Sequence, residues 1–297
     1  MENCLIIINK SAGGSNRISF DYVKNVLGRG FNYTCHTIPT DGEPNLDGYS
    51  TLAVCGGDGT LSNVLSRVYN KRKSVYYFPS GTLNDKAKIK QKTKGGESSL
   101  SHAVIGKIAG DANAVFSYVF AAGSFTPIGY VASVNMKKRF GVLAYLSHII
   151  SEYKVHRIRA KIQTRDSVYT GEFTLIMFLK SPRCFGFKFN KAYDESAESG
   201  HMVLIRSPRH DGLLGKIEMF FPFFKVFFLG LKNERDGKIV FKQVGTVSVA
   251  LGGETAFCKD GEKEIASGDF TLSFEKTECN LSLVHKTKTA LYHSDFE

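Results

Sequence analysis

Tryptophan is absent from the 297 residues, and proline occurs only seven times. So little proline excludes a proline-rich rod or linker. A content of 42% hydrophobic and 23% charged residues is the makeup of a folded globule, not of a disordered tail. Close cysteine pairs are missing as well. The six thiols, Cys4, Cys35, Cys55, Cys184, Cys258 and Cys279, are scattered, with no C-x-x-C and no close Cys/His cluster. That excludes a spaced zinc site and a disulfide-stapled module, and it fits reduced thiols in a cytoplasmic protein. The eight histidines include no H-E-x-x-H, and neither a P-loop nor a G-x-G-x-x-G fingerprint occurs. No zinc-finger, RNP-like or recognition-helix pattern supports nucleic-acid binding. Long apolar runs are lacking too. Residues 5–8 are too few for a signal-peptide core, and the uncharged window 112–136 is broken by Asn113, Ser117, Gly123, Ser124, Thr126, Pro127 and Gly129. It reads as strand, turn and strand, so no transmembrane helix is expected.

What is present is cationic and rich in phenylalanine. Basic residues exceed acidic ones by 11, which points to an anionic partner: a nucleotide, a nucleic acid or an anionic membrane. Residues 71–94 and residues 136–165 each carry eight basic side chains and one acidic one. Each segment reads either as a solvated face or as a surface for anionic headgroups. Residues 217–231, IEMFFPFFKVFFLGL, hold six Phe interrupted by Pro222 and Lys225. The stretch is too short and broken to span a bilayer, and reads either as core or as a shallow docking surface.

The first part of the chain alternates. Apolar residues at 4–8 lead into NKSAGG (9–14), and helical spacing follows at 18–27. Residues 33–38 and 51–55 read as strands, the second ending in GGDGT (56–60). Residues 61–69 are helical in spacing, and a strand at 75–78 ends in PSGTLND (79–85). Such alternation, with glycine loops at the strand C-terminal ends, describes a mostly parallel sheet that binds ligands at that edge. Beyond about residue 123 the rhythm changes. Runs at 157–163, 173–179, 202–206, 238–241, 247–251 and 270–274 read as strands, and DG at 211–212, 236–237 and 260–261 as turns. One helical insert is expected near 141–153. The expected fold is α/β plus β: an N-terminal three-layer α/β nucleotide-binding domain (1–123) and a C-terminal β-sandwich domain (124–281) with a cleft between them.

The glycine loops carry the chemistry. Consecutive glycines in GGDGT let the backbone approach a phosphate, while the following helix N-terminus offers N–H donors. Asp58 would orient a phosphate-bound Mg²⁺ or accept a proton; an ordinary glycine turn with an Asp cap is the plainer reading. In PSGTLND, Thr82 offers a hydroxyl to phosphate, and Asn84 and Asp85 can cap the next element. Three such loops at successive strand ends are a stronger signal than one.

NKSAGG, GGDGT, PSGTLND, FSYVFAAGSFT (116–126) and KDGE (259–262) together, and in this order, resemble the diacylglycerol kinase catalytic family, which includes bacterial diacylglycerol kinases and sphingosine kinase relatives. GGDGT alone would also admit an NAD kinase or a phosphofructokinase-like fold; the late DGE and the β-rich half favour the lipid kinases. The resemblance implies ATP and Mg²⁺ as cofactors and a return of the C-terminal segment, 282–297, to the first domain. It places ATP against Asn9, Lys10, Ser11, Ala12, Gly13, Thr40, Gly56, Gly57, Asp58, Gly59, Thr60, Leu61, Ser62 and Thr82. It assigns the proton of the lipid hydroxyl to Glu262 or Asp260, a general-base contribution of about 10²–10⁴-fold. Without the other motifs, DGE would be an exposed hairpin turn. Some positions depart from the family. Lys10 stands at a common proline and Ser62 at a frequent asparagine. The acidic segment that holds a structural Mg²⁺ in bacterial members appears as Ser196-Ala197-Glu198-Ser199-Gly200-His201, with Ser199 for the usual aspartate. Ser196, Ser199 and His201 are thus an altered metal set.

The implied activity is an ATP-dependent lipid kinase, with diacylglycerol as the first acceptor to consider and phosphatidic acid as its product. Another lipid, such as a sphingoid base or phosphatidylglycerol, is one alternative. A non-catalytic nucleotide- or membrane-binding protein is the other, and the intact GGDGT and DGE stand against it. The expected partners are a lipid substrate and an anionic membrane surface, met peripherally from the cytoplasm, with a homodimer also within what the sequence allows.

Overall fold

The computed structural model describes residues 1–15, 18–81, 84–88, 101–124, 126, 153–184 and 186–284. Four parallel strands, β1 (Glu2–Asn9), β2 (Phe31–Ile38), β3 (Thr51–Gly56) and β4 (Ser74–Pro79), lie in the order β4-β3-β1-β2. Their inner residues are apolar at consecutive positions because both faces are covered. On one face Leu5, Ile7, Leu52, Val54, Val75 and Tyr77 pack against Leu61, Val64, Leu65 and Val68 of α2 (Asp58–Val68). On the other, Cys4, Ile6, Ala53, Cys55 and Phe78 pack against Val23 and Leu27 of α1 (Phe20–Leu27). Three layers result, as the alternation requires.

The remaining strands are mostly antiparallel: β5 (Ser101–Gly110), β6 (Ala114–Phe116), β7 (Val119–Gly123), β8 (Ile158–Gln163), β9 (Val168–Leu179), the short hairpin β10 (Arg183–Cys184) with β11 (Phe187–Lys188), β12 (Gly200–Arg206), β13 (Ile239–Val244), β14 (Thr246–Leu251), β15 (Thr255–Lys259), β16 (Glu262–Ala266) and β17 (Asp269–Leu283). Side chains alternate between two cores, as period-2 strands must. Phe120 and Ala122 of β7 and Ile176 and Phe178 of β9 face a sandwich core with Val249, Phe257, Phe270 and Phe274. Val119, Ala121, Met177 and Leu179 point the other way, under α3 (Gly212–Phe224). β17 joins the two halves. It runs antiparallel to β14 and β5, and its last residues, Asn280–Leu283, pair in parallel with Ser74–Tyr77 of β4. Residues 285–297 of the segment expected to return lie outside the described residues.

Three features depart from or go beyond the sequence expectations. DG at 211–212 starts a helix instead of turning a hairpin, with Asp211 as the N-cap residue of α3. Ser101–Gly110, unmarked in the sequence reading, is a ten-residue strand. The Phe-rich stretch is regular despite Pro222. Proline supplies no N–H, the Lys225 N–H is shared between the Phe221 and Pro222 carbonyls, and the chain continues as a π-helical turn over Lys225–Leu229. The stretch is therefore both core and surface. Met219, Phe223, Val226 and Phe227 are buried, whereas Leu213, Ile217, Phe220, Phe221, Phe224 and Phe228 are exposed. The expected helical insert falls outside the described residues except at its end, and among those residues no helix is long and apolar enough to cross a membrane. Several cations of the two basic segments are already engaged. Lys73 donates to the carbonyls of Leu46 and Tyr49, and Arg157 and Arg159 pair with Glu172. Residues 89–94 and 136–152 of those segments lie outside the described residues.

Candidate active site

Strands β1, β3 and β4 end at one edge, and their loops are tied to one another there. Asn9 accepts from the Ser11 N–H through Oδ1 (2.9 Å) and donates through Nδ2 to Thr60 Oγ1 (2.8 Å). The Gly14 N–H donates to the Ser80 carbonyl, and the Ser80 N–H donates to the Gly56 carbonyl, both at 2.7 Å. The second and third loops touch backbone to backbone: a Cβ on Gly81 would stand 2.6 Å from the Cα of Gly57. Gly57 has φ −89°, ordinary extended backbone, so proximity and not a left-handed turn requires glycine there. Asn84, at φ +48°, accepts from the Gly81 N–H and donates to the Gly81 carbonyl, closing its own loop instead of capping the next element. Gly57 caps α2 without a side-chain acceptor, which leaves the first-turn N–H groups open to an anion.

Asp58 is not at leisure to serve that anion. Its Oδ2 accepts from the Asp85 N–H (2.7 Å), and its Oδ1 from the Lys86 N–H and the Tyr77 hydroxyl (both 3.3 Å). Burial, with Asp85 and Asp260 nearby, pushes its carboxyl up to about 7. These contacts make it the clamp between α2 and the PSGTLND loop. Leu61 is fully buried in the core, and Ser62 Oγ donates to Asp260 Oδ2 at 2.5 Å, so both side chains turn into the protein. Lys10, Gly13 and Thr40 are exposed, Ser11 is half-buried and Ala12 is 9% exposed. Thr82 lies outside the described residues.

The DGE carboxylates have opposite surroundings. The turn between β15 and β16 has both Asp260 and Gly261 at positive φ, 50° and 99°, as a two-residue hairpin with DG favours. Asp260 is 2% exposed and saturated: besides Ser62 it accepts from the Ser117 N–H, the Tyr118 N–H (3.0 Å) and the Val119 N–H (2.8 Å). Burial raises its pKa against these bonds. No acceptor site on it remains open for a substrate proton. Glu262 is exposed, and its carboxylate has no hydrogen-bond or ion-pair partner among the described residues. It stands over the start of α2, where a Cβ on Gly59 would lie 3.3 Å from Oε1.

Two further groups make contacts that the sequence does not foretell. Asp85, 1% exposed, accepts from Gly186 N–H (2.9 Å) and faces Arg183 Nε at 3.4 Å, tying the third loop to the β10–β11 hairpin. Lys86 is buried, with Nζ 3.4 Å from the Ser117 carbonyl, and burial lowers its pKa against the pull of Glu195, Asp260 and Asp58. No local signal marks these contacts, since the partners lie 98 and 31 residues away.

The altered metal set does not converge. The N–H and Oγ of Ser196 donate to Asp194 Oδ1 (2.9 and 2.7 Å), while Ser199 Oγ accepts from Gln243 Nε2 (2.6 Å). His201 is 4% exposed, stacked on Phe241 at 5.1 Å, with Nδ1 3.2 Å from Asn190 Nδ2; burial lowers its pKa to about 4. Glu198 pairs with Lys276. Among the described residues no three His, Cys, Asp or Glu gather as metal ligands. The residues present do not fit the family's structural Mg²⁺.

Comparison with known proteins agrees with the loops. Residues 3–109 match the family model described as the diacylglycerol kinase catalytic domain. A protein of Streptococcus pneumoniae serotype 4, provisionally named a lipid kinase, is 25% identical over 222 residues, 69% of this chain and 74% of its own. A diacylglycerol kinase of Staphylococcus saprophyticus is 27% identical over 167 residues, 53% of this chain and 54% of its own. The crystal structure of a diacylglycerol kinase from Bacillus anthracis str. Sterne has the same fold, with a TM-score of 0.63 over 95% of this chain and 96% of that one at 16% identity. The chain is thus similar to diacylglycerol and other lipid kinases, with residues 3–109 matching the catalytic-domain model and the whole chain sharing the fold.

Proposed function

We propose that the protein transfers the γ-phosphoryl group of ATP to the hydroxyl of a membrane lipid, diacylglycerol before others, yielding phosphatidic acid and ADP. The observation that carries this reading is Glu262, an unpartnered carboxylate beside the open N-terminus of α2. The nucleotide phosphates rest on the three joined loops, with α2 N–H groups turned to them. Glu262 takes the proton of the acceptor hydroxyl as its oxygen bonds to the γ-phosphorus and the bond to the β-phosphate oxygen breaks. Asp260 fixes the turn from which Glu262 projects. Mg²⁺ bound with ATP would supply charge neutralisation at the transferring phosphoryl group.

The acceptor lies in a bilayer, and the exposed face of α3 supports peripheral docking from the cytoplasmic side. Leu213 and Phe221 there and Phe228 in the π-helical turn that follows are 74%, 71% and 67% exposed, with Lys216 and Lys232 also exposed. Apolar insertion and attraction to anionic headgroups would act together.

The test is incubation with radiolabelled ATP, Mg²⁺ and vesicles carrying diacylglycerol, a sphingoid base or phosphatidylglycerol. Label in phosphatidic acid, lost in a folded Glu262→Gln variant, is the expected result. Label in a different lipid corrects the acceptor, and no label in any lipid sinks the reading.

A further inference from the structure

β9 ends at Leu179, and the next side chain turns inward: Lys180 is 2% exposed. An ammonium taken out of water must find acceptors for its protons. Lys180 finds main-chain oxygens. Its Nζ donates to the Asp194 carbonyl at 2.8 Å and to the Ala197 carbonyl, and it stands 5.4 Å from the ring centre of Tyr193. All three partners belong to one loop, 193–199, which leads into β12. Burial and the nearby Lys86 lower its pKa to about 8, against the field of the Asp194 and Glu195 carboxylates, so it stays charged at neutral pH.

Carbonyl dipoles converging on an enclosed positive charge are also what a hard metal ion gathers. Here the charge is covalently attached to the end of β9. Within the loop Ser196 is engaged with Asp194, Glu198 pairs with Lys276 and Ser199 with Gln243, while the Asp194 and Glu195 carboxylates face the ammonium's field. Ser199 itself stands where the family has an aspartate, so a position that would balance a second positive charge carries none. A cation of charge one fits a loop with one carboxylate fewer.

We propose that the Lys180 ammonium is the resident cation of the 193–199 loop, taking the place of the structural divalent ion, so that this loop folds without metal. The inference stands apart from the lipid-kinase reading, because it concerns the folded protein without nucleotide or lipid.

Thermal unfolding of the nucleotide-free protein tests it, in excess EDTA and then in millimolar Mg²⁺. The wild-type Tm is expected to be the same in both. A saturable rise with Mg²⁺, with a fall in EDTA, would overturn the proposal. Lys180→Gln keeps N–H donors on a side chain one atom shorter but loses the charge, and Lys180→Met loses both donors and charge. Each is expected to lower Tm by about 5–10 °C, since a buried set of acceptors loses its cation. Hydrogen exchange across residues 193–201 should rise in the same variants. Lys180→Gln melting like wild type would show that the charge is not what the loop needs, and would also overturn the proposal. If either variant fails to fold, the wild-type metal titration decides alone.

Discussion

Two turns of this protein are each organised around a buried ion, with opposite signs. At the 259–262 hairpin an anion, Asp260, collects backbone N–H groups; at the 193–199 loop a cation, Lys180, collects backbone carbonyls. The sign decides which half of the peptide group is gathered, and the source of the partners decides what is fixed. Asp260 draws on Ser62 of α2 and on residues 117–119, more than 140 residues before it, so it fixes the 259–262 hairpin against distant parts of the chain. Lys180 draws on a single loop 14–17 residues away and fixes only that loop's shape. A buried ion of either sign can shape a turn, but only one with distant partners can align that turn with the rest of the molecule.

The comparison breaks most sharply at Asp260. Asp260→Ala strands three N–H groups and one hydroxyl and is expected to remove about 3–5 kcal/mol of stability, read by urea unfolding, and activity with it. Its neighbour should separate the two effects. Glu262→Gln is expected to lower kcat about 10²–10⁴-fold with unfolding and ATP affinity unchanged. A stable Asp260→Ala beside an unstable Glu262→Gln would reverse the two roles.

Gly81→Ala probes the loop contact. Its new methyl would press on Gly57 and on Asn84 Oδ1, each 2.6 Å away, and should destabilise by about 1–3 kcal/mol while weakening ATP binding in calorimetry. Unchanged ATP affinity in the folded variant would separate this contact from the nucleotide site.

His201 sharpens the comparison on the loop side. Its folded pKa of about 4 lies below the ordinary 6.5 of an unfolded histidine, so between those values the unfolded chain binds more protons. The stability it contributes is complete above pH 6.5 and is lost as pH falls toward 4, by roughly 1–3 kcal/mol. Denaturant titrations of wild type and His201→Gln across that range should diverge in slope; parallel curves would show that His201 is not buried neutral.

The smallest effect on the isolated protein belongs to α3. Phe221→Ser with Phe228→Ser should leave unfolding within about 0.5 kcal/mol. Binding to anionic vesicles should nonetheless weaken, and most clearly at high salt, where the Debye length of about 3 Å at 1 M leaves apolar insertion as the main attraction. Phe223→Ser should instead destabilise, because Phe223 is only 4% exposed. Equal vesicle binding by wild type and the double variant would remove α3 as the docking face.

The legible part of the fold was the local part. GGDGT, PSGTLND and KDGE announce themselves because a glycine at a close approach or a DG at positive φ is a requirement of neighbouring residues. The parallel strands were legible for the same reason, as apolar runs such as Leu5–Ile8 bounded by glycine loops. Roles were less legible than positions. Nothing in DGE tells which carboxylate is saturated, since the donors to Asp260 come from residues 62 and 117–119. Likewise Asp58 reads as a free acid until the Asp85 and Lys86 N–H groups are seen on it. Lys180 stands alone in the sequence as one lysine after an apolar strand. The Phe-rich stretch misled through Pro222, which suggests a break where the chain instead slips into a wider helical turn.

β17 has a consequence for synthesis. The outer edge of β4 is closed by Asn280–Leu283, a stretch made about 200 residues after β4 itself, or roughly 10–40 s later at 5–20 residues per second. Until then a nascent chain holds an open parallel-strand edge beside a row of glycine loops, an invitation to pair with another chain. The protein is thus built to finish both halves with one late strand, and premature termination anywhere before residue 280 should leave the first domain unsealed as well as the second.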